Sequence, residues 1–121
     1  MVATQETLSS LLQKFNAEHK VRGSAVVTRD GLPLVSALPP SVNRETFAAM
    51  TATMMGAAET AASEVESTAA SQVLAEFGTL RLVAVGAGPE LLVVAIADGA
   101  HELIALAKKT SALGEQVRKN L

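Results

Sequence analysis

The side chains of this sequence best suited to moving protons or holding metals are two histidines, His19 and His101, and a scatter of carboxylates. The histidines lie far apart and belong to neither a HExxH nor a HxH arrangement, the spacings that bring two imidazoles onto one ion. Each is expected to be a solvated surface histidine, one near a helix end and one near a helix start. Glu64 and Glu66 straddle the expected end of a helix, where two carboxylates face water rather than share a proton. Serines are plentiful, but none stands in a GxSxG elbow. A phosphate-cradling GxxxxGK[ST] loop is absent, and Gly86 and Gly88 run into Pro89 and Glu90 where a dinucleotide fingerprint would enter a helix. With Cys at 0, thiolate chemistry, disulfides and sulfur-bound zinc are excluded. No catalytic, cofactor-binding or metal-ligating residue is assigned.

Arginine remains. A guanidinium presented to a partner's nucleotide stabilises phosphoryl-transfer charge, and Arg29 and Arg44 are the two expected to be exposed. Arg22 and Arg81 flank or occupy strands, where surface ion pairs of small energy are the ordinary outcome.

The elements that would position these groups follow from periodicity. Leu8, Leu11, Leu12 and Phe15 fall at i, i+3, i+4 and i+7, an apolar stripe on a first helix, with Thr4 as its cap. Ser24 to Arg29 and Leu32 to Ser36 flank Asp30-Gly31, which predicts a hairpin closed by a two-residue turn. Pro33 lacks an N–H and places the second strand at a sheet edge. After Pro39-Pro40, an Ala- and Met-rich helix runs from about Asn43 to Glu64. A polar, loosely constrained Glu66 to Ser71 link leads to three strand blocks, Ser71 to Phe77, Leu80 to Val85 and Leu91 to Ala97. Their short connections predict an antiparallel meander. Leu103, Leu106, Ala107, Leu113 and Val117 mark a final helix, giving the order α-β-β-α-β-β-β-α.

The middle helix is the informative one. Phe47, Met50, Met54, Ala57, Ala58, Ala61 and Val65 cluster on one side of a helical wheel and are expected to cover a sheet. Nearly opposite stands a row of small residues, Ala49, Ala52, Thr53, Gly56, Thr60 and Ser63, where a solvated helix would carry Lys, Glu or Gln. A glycine in a helix interior costs about 1 kcal/mol relative to alanine. Close approach of a second helix, most economically its own copy in a twofold dimer, would reward it. The expected interface is this row with Leu74 of the third strand, whose edge would otherwise present unpaired N–H and C=O groups. Arg44, Glu45 and Met55 are expected to meet a further partner along the paired helices, with Met55 as an adaptable apolar anchor.

The chain has 121 residues, 49% hydrophobic and 18% charged, with net charge -2, which fits one domain over 1–121. The longest apolar run, Leu91 to Ala97, falls far short of the roughly 20 residues a membrane-spanning helix needs. Glu6 and neighbouring serines stand where a signal peptide would be basic and then apolar, so a cytoplasmic location is expected. An acidic balance with Trp 0, Tyr 0 and Phe 3 offers neither a basic face nor stacking platforms for nucleic acid.

With this element order, the chain resembles the roadblock/dynein light-chain family, including regulators of the MglB type. The residues that carry the resemblance are Gly23 to Val35 with the Asp30-Gly31 turn, the small-residue middle helix, and the closing run Glu90 to Ala97 leading into Leu103. The resemblance implies an α/β chain of α+β layout with a profilin-like roadblock fold. In it a five-stranded antiparallel sheet of order 2-1-5-4-3 is flanked by helices on both faces. It also implies a non-enzymatic homodimeric scaffold, without a cofactor, that binds and regulates a small Ras-like GTPase by repositioning the GTPase's own groups. The alternative is a small-molecule sensor or other interaction module on the same layout, which would require a roomy cavity with convergent polar groups.

Overall fold

The computed structural model describes residues 2–66 and 71–121, so most of the polar link before the third strand lies outside the described residues. The elements are α1 (Val2–His19), β1 (Gly23–Thr28), β2 (Pro33–Ala37), α2 (Arg44–Ser63), β3 (Gln72–Phe77), β4 (Leu80–Gly86), β5 (Leu91–Asp98) and α3 (Leu103–Lys119). One antiparallel sheet has the order β2-β1-β5-β4-β3. The profilin-like α+β layout is therefore present, with Pro33 on an edge strand.

The first helix buries Leu8, Leu12 and Phe15, as its stripe requires. It begins at Val2, so Thr4 lies inside it and is not its cap. Lys20, in the left-handed region at φ 54, ends it. Asn16 ties α1 to the sheet: its Nδ2 donates to the Ala37 carbonyl at 2.9 Å, and Ser24 Oγ donates to its Oδ1 at 2.7 Å.

The β1–β2 turn differs from the expected two-residue form. Gly31 has φ 101 while Asp30 keeps a negative φ. Gly31 N–H donates to the Thr28 carbonyl at 3.0 Å, and Thr28 N–H donates to the Leu32 carbonyl at 2.8 Å. The result is a three-residue loop, Arg29-Asp30-Gly31, in which only the glycine carries the positive φ. The Thr28 hydroxyl donates to the Asp30 carboxylate and accepts from Leu32 N–H, which holds the loop in that form.

The last strand in the chain, β5, is the middle strand of the sheet. Leu91, Val93, Ala95 and Ala97 enter the larger core beneath α1 and α3, while Leu92 and Val94 enter a smaller one beneath α2. A strand buried on both faces has no polar alternation to display, which explains the unbroken apolar run. Glu102 caps α3, its carboxylate accepting from Ile104 N–H and Ala105 N–H at 3.2 and 3.0 Å.

Asn43 caps α2 through a 2.9 Å bond from Thr46 N–H. The helix sits on the sheet rotated from the expected orientation by roughly a third of a turn. Ala48, Thr51, Ala52 and Met55 are buried, whereas Met50 is 58% and Val65 90% exposed. Phe47 and Met54 only flank this core, and Ala57 and Ala61 face solvent. Because Ala, Met and Thr occur all round the helix, hydropathy gives little contrast, and the fit to the sheet decides the face. Thr51 is accommodated because its hydroxyl donates to the Phe47 and Ala48 carbonyls at 2.9 and 3.1 Å.

Candidate functional site

The rotation of α2 divides the small-residue row. Thr53, Gly56, Thr60 and Ser63 lie on its exposed face, and Ala49 is half-buried beside Gly31. Ala52, at 8% exposure, is part of the core and not of an outer surface. Thr53 and Ser63 turn their hydroxyls back onto the Ala49 and Thr60 carbonyls at 2.8 and 2.7 Å. Their donors are thereby satisfied within the helix, leaving a smooth outer surface. A Cβ built on Gly56 would meet nothing within 4 Å. Among the described residues, nothing inside the protomer explains a glycine at this point.

The sheet has an open edge at β3. Among the described residues, β3 pairs only with β4, and it contacts α2 on one face and α3 on the other. Gly86 N–H donates to the Ser71 carbonyl at 3.2 Å, which fixes the alternation of the ladder. By that alternation, the backbone groups of Gln72, Leu74 and Glu76 point away from β4. The Leu74 side chain, however, packs into the core beneath α3, so its backbone and not its side chain reaches the α2 side of the edge. Phe77, 57% exposed, shares a sheet face with Val73 of the α2-side core. The opposite edge is less open, because Pro33 has no donor and Gln5 Nε2 donates to the Leu34 carbonyl at 3.0 Å.

At the N-terminal end of α2, Arg44 and Glu45 are exposed at 62% and 70% and stand 3.8 Å apart. Glu45 in the first turn complements the positive end of the helix dipole. Met55 does not join them. Its side chain is 1% exposed and fills the core between α2 and the sheet, which removes it as a partner anchor. On α2, Met50 is the methionine that projects outward.

Residues 7–97 match the family model of the Roadblock/LC7 domain. The chain belongs to this family. An uncharacterized protein of Methanocaldococcus jannaschii is 36% identical over 87 residues, covering 72% of this chain and 76% of that relative. Among solved structures, an MglB described as having a tetrameric arrangement superposes with a TM-score of 0.89 at 18% identity, covering 98% of this chain and 90% of that one. The gliding protein MglB of Thermus thermophilus gives 0.85 at 17%, with coverage of 98% and 90%. Profilin II of Acanthamoeba castellanii gives 0.70 at 11%, covering 93% and 97%, a likeness of fold alone. Family and fold together describe a regulatory interaction module.

The roadblock domain holds its remaining candidate residues in structural roles. Arg29 is not a free guanidinium: it bridges to Glu59 of α2 at 3.2 Å, each side chain being 30% exposed, and lies over Gly86. Arg81 pairs with Glu76 at 3.3 Å. The two histidines are brought together rather than left solvated, with His101 Nε2 2.9 Å from the His19 carbonyl oxygen. Sequence spacing carries no signal for that contact, because it is made by the packing of the end of α1 against the turn that follows β5. Among the described residues, no helix is long and apolar enough to cross a membrane.

Proposed function

We propose that this roadblock domain is a homodimeric scaffold, without catalytic residues of its own, that binds and regulates a small Ras-like GTPase. Two observations carry the reading together: α2 has an exposed small-residue face, and β3, a strand that α2 contacts, has an open edge. Across a twofold axis, Thr53, Gly56, Thr60 and Ser63 let two copies of α2 approach closely, while β3 pairs with its mate. Both unsatisfied features of the protomer are then answered by one contact. The paired helices offer a saddle in which Arg44 and Glu45 meet charges on the GTPase. Met50 replaces Met55 as the apolar anchor, and one GTPase spans both protomers. Family membership and the MglB-like fold support this choice of partner.

Light scattering at micromolar concentration tests the first half. A mass of twice 12.5 kDa is expected, and a stable monomer overturns the scaffold. Pull-down with Ras-like GTPases loaded with GTP or GDP tests the second. Failure of all of them in both nucleotide states removes the GTPase assignment, while retention unaffected by Arg44→Ala, Glu45→Ala and Met50→Ala moves the contact elsewhere.

A further inference from the structure

Charge in this protein is sorted by layer. The chain as a whole is at net charge -2. From Arg44 to Glu66, in and just beyond α2, Arg44 is the sole cation against Glu45, Glu59, Glu64 and Glu66. On the far side of the sheet, α3 carries Lys108, Lys109, Arg118 and Lys119 against Glu115 alone. Glu115 is already engaged, with Arg118 Nη2 donating to it at 2.8 Å.

Between α1 and α3 runs an open cleft of about 730 Å³. Its floor is apolar, formed by Leu11, Phe15 and Leu113. Lys14 stands on the α1 wall, and Lys108, Lys109 and Lys119 stand on the α3 wall. Among the described residues, none of these four lysines has an ion-pair partner. Glu18 and Glu115 also border the cleft, so cations outnumber carboxylates there two to one. An acidic protein has placed unpaired ammonium groups along both sides of an apolar trough.

We propose that this cleft docks a short acidic peptide segment of a partner, carrying apolar side chains for the floor and carboxylates for the two walls. The dimensions fit: Lys108 to Lys119 along α3 is about 16 Å, roughly three turns of a helical ligand. A bilayer is the poorer match, because a flat surface needs apolar groups that project, whereas here they are recessed between charged walls. The cleft lies across the sheet from α2, so the proposal does not rest on the GTPase reading.

The test uses the full chain and a fluorescein-labelled peptide of about twelve residues, Glu-rich with Leu at helical spacing to match the cleft length. Anisotropy should saturate with the Glu peptide. The same peptide with Gln for Glu should bind at least tenfold more weakly, and added salt should weaken the Glu peptide because exposed charges are screened. Lys14→Glu with Lys119→Glu should weaken it at least tenfold while circular dichroism stays unchanged. Milder Lys→Gln replacements serve if the reversals unfold the chain. Amide chemical-shift changes should map to α1 and α3 and spare α2. Equal binding of the Glu and Gln peptides, unchanged affinity after charge reversal, or binding to phosphatidylserine vesicles without binding to the peptide overturns the proposal.

Discussion

His101 Nε2 lies 2.9 Å from the carbonyl oxygen of His19, joining two residues 82 positions apart. A carbonyl only accepts, so Nε2 carries the proton and donates it. The acceptor is at the last turn of α1, where helical carbonyls lack intrahelical donors. The other ring nitrogen, Nδ1, is 3.6 Å from Asp98 Oδ1, and the His19 ring meets Phe15 edge-on at 4.9 Å. The turn after β5 is thereby fastened to the end of α1.

His101→Ala is expected to lower stability by about 1–2 kcal/mol, the cost of one part-buried hydrogen bond together with lost packing. The thermal midpoint should fall by about 5 °C at fixed protein concentration, while His101→Gln, which keeps an N–H donor, loses less. Thermal circular dichroism reads both. An unchanged midpoint in His101→Ala would show that the fastening contributes nothing.

Gly56 separates folding from association. Gly56→Ala removes helix-interior flexibility where a Cβ meets nothing within 4 Å, so it should stabilise the protomer, by about 0.5–1 kcal/mol. Gly56→Leu should keep the fold but push paired helix axes apart, weakening self-association at least tenfold in sedimentation equilibrium. Unchanged association in Gly56→Leu removes this residue from the contact.

Arg29 and Gly86 should be energetically coupled. A Cβ on Gly86 would come within 2.7 Å of Arg29 Nη2, the far end of a flexible side chain. Gly86→Ala should therefore cost more in the native background than in Arg29→Ala, with a coupling of about 0.5 kcal/mol or more in urea denaturation. Additive effects would contradict the close approach. Arg29→Ala by itself should cost about 1 kcal/mol, from the part-buried Glu59 pair and from the guanidinium that lies over Gly86.

Glu115 is expected to titrate below the usual carboxylate range, because Arg118 first hydrogen-bonds to its carboxylate and then attracts it electrostatically. A carboxyl group whose folded pKa is depressed contributes stability above its unfolded pKa, and that contribution is lost as pH falls through the folded value. The loss therefore falls at and below the ordinary 4.5, and neutral pH is unaffected. NMR titration should show the Glu115 midpoint rising toward 4.5 in Arg118→Gln. A midpoint indifferent to that change would rule out the pair in solution.

The sheet is legible in the sequence because its signals are local. Pro33 marks an edge, Gly78-Thr79 and Gly86 to Pro89 mark turns, and the Leu91 to Ala97 run marks a strand, whose burial on both faces emerges only in the structure. The seating of α2 is not legible, since Met50 and Met55 are chemically equal and only the sheet beneath decides that Met55 is buried and Met50 is not. The same limit applies to Arg29 and His101, whose partners Glu59 and His19 are supplied by tertiary packing and leave no trace in spacing. At the turn, Asp30-Gly31 predicts a two-residue closure, whereas Thr28, with a hydroxyl able to bond both Asp30 and Leu32, favours the longer loop.

The central place of β5 dictates an order of assembly. The hairpins β1–β2 and β3–β4 each join neighbours in sequence, but neither touches the other in the sheet until β5 lies between them. On the ribosome, the first four strands therefore emerge as two separate ribbons with apolar faces and open edges. Only after Asp98 has cleared the exit tunnel can the final strand zip them together, through long-range pairings that are slow to find. Chains halted before Leu91 would be the aggregation-prone products of this gene, and a chaperone that shields strand edges should hold them selectively.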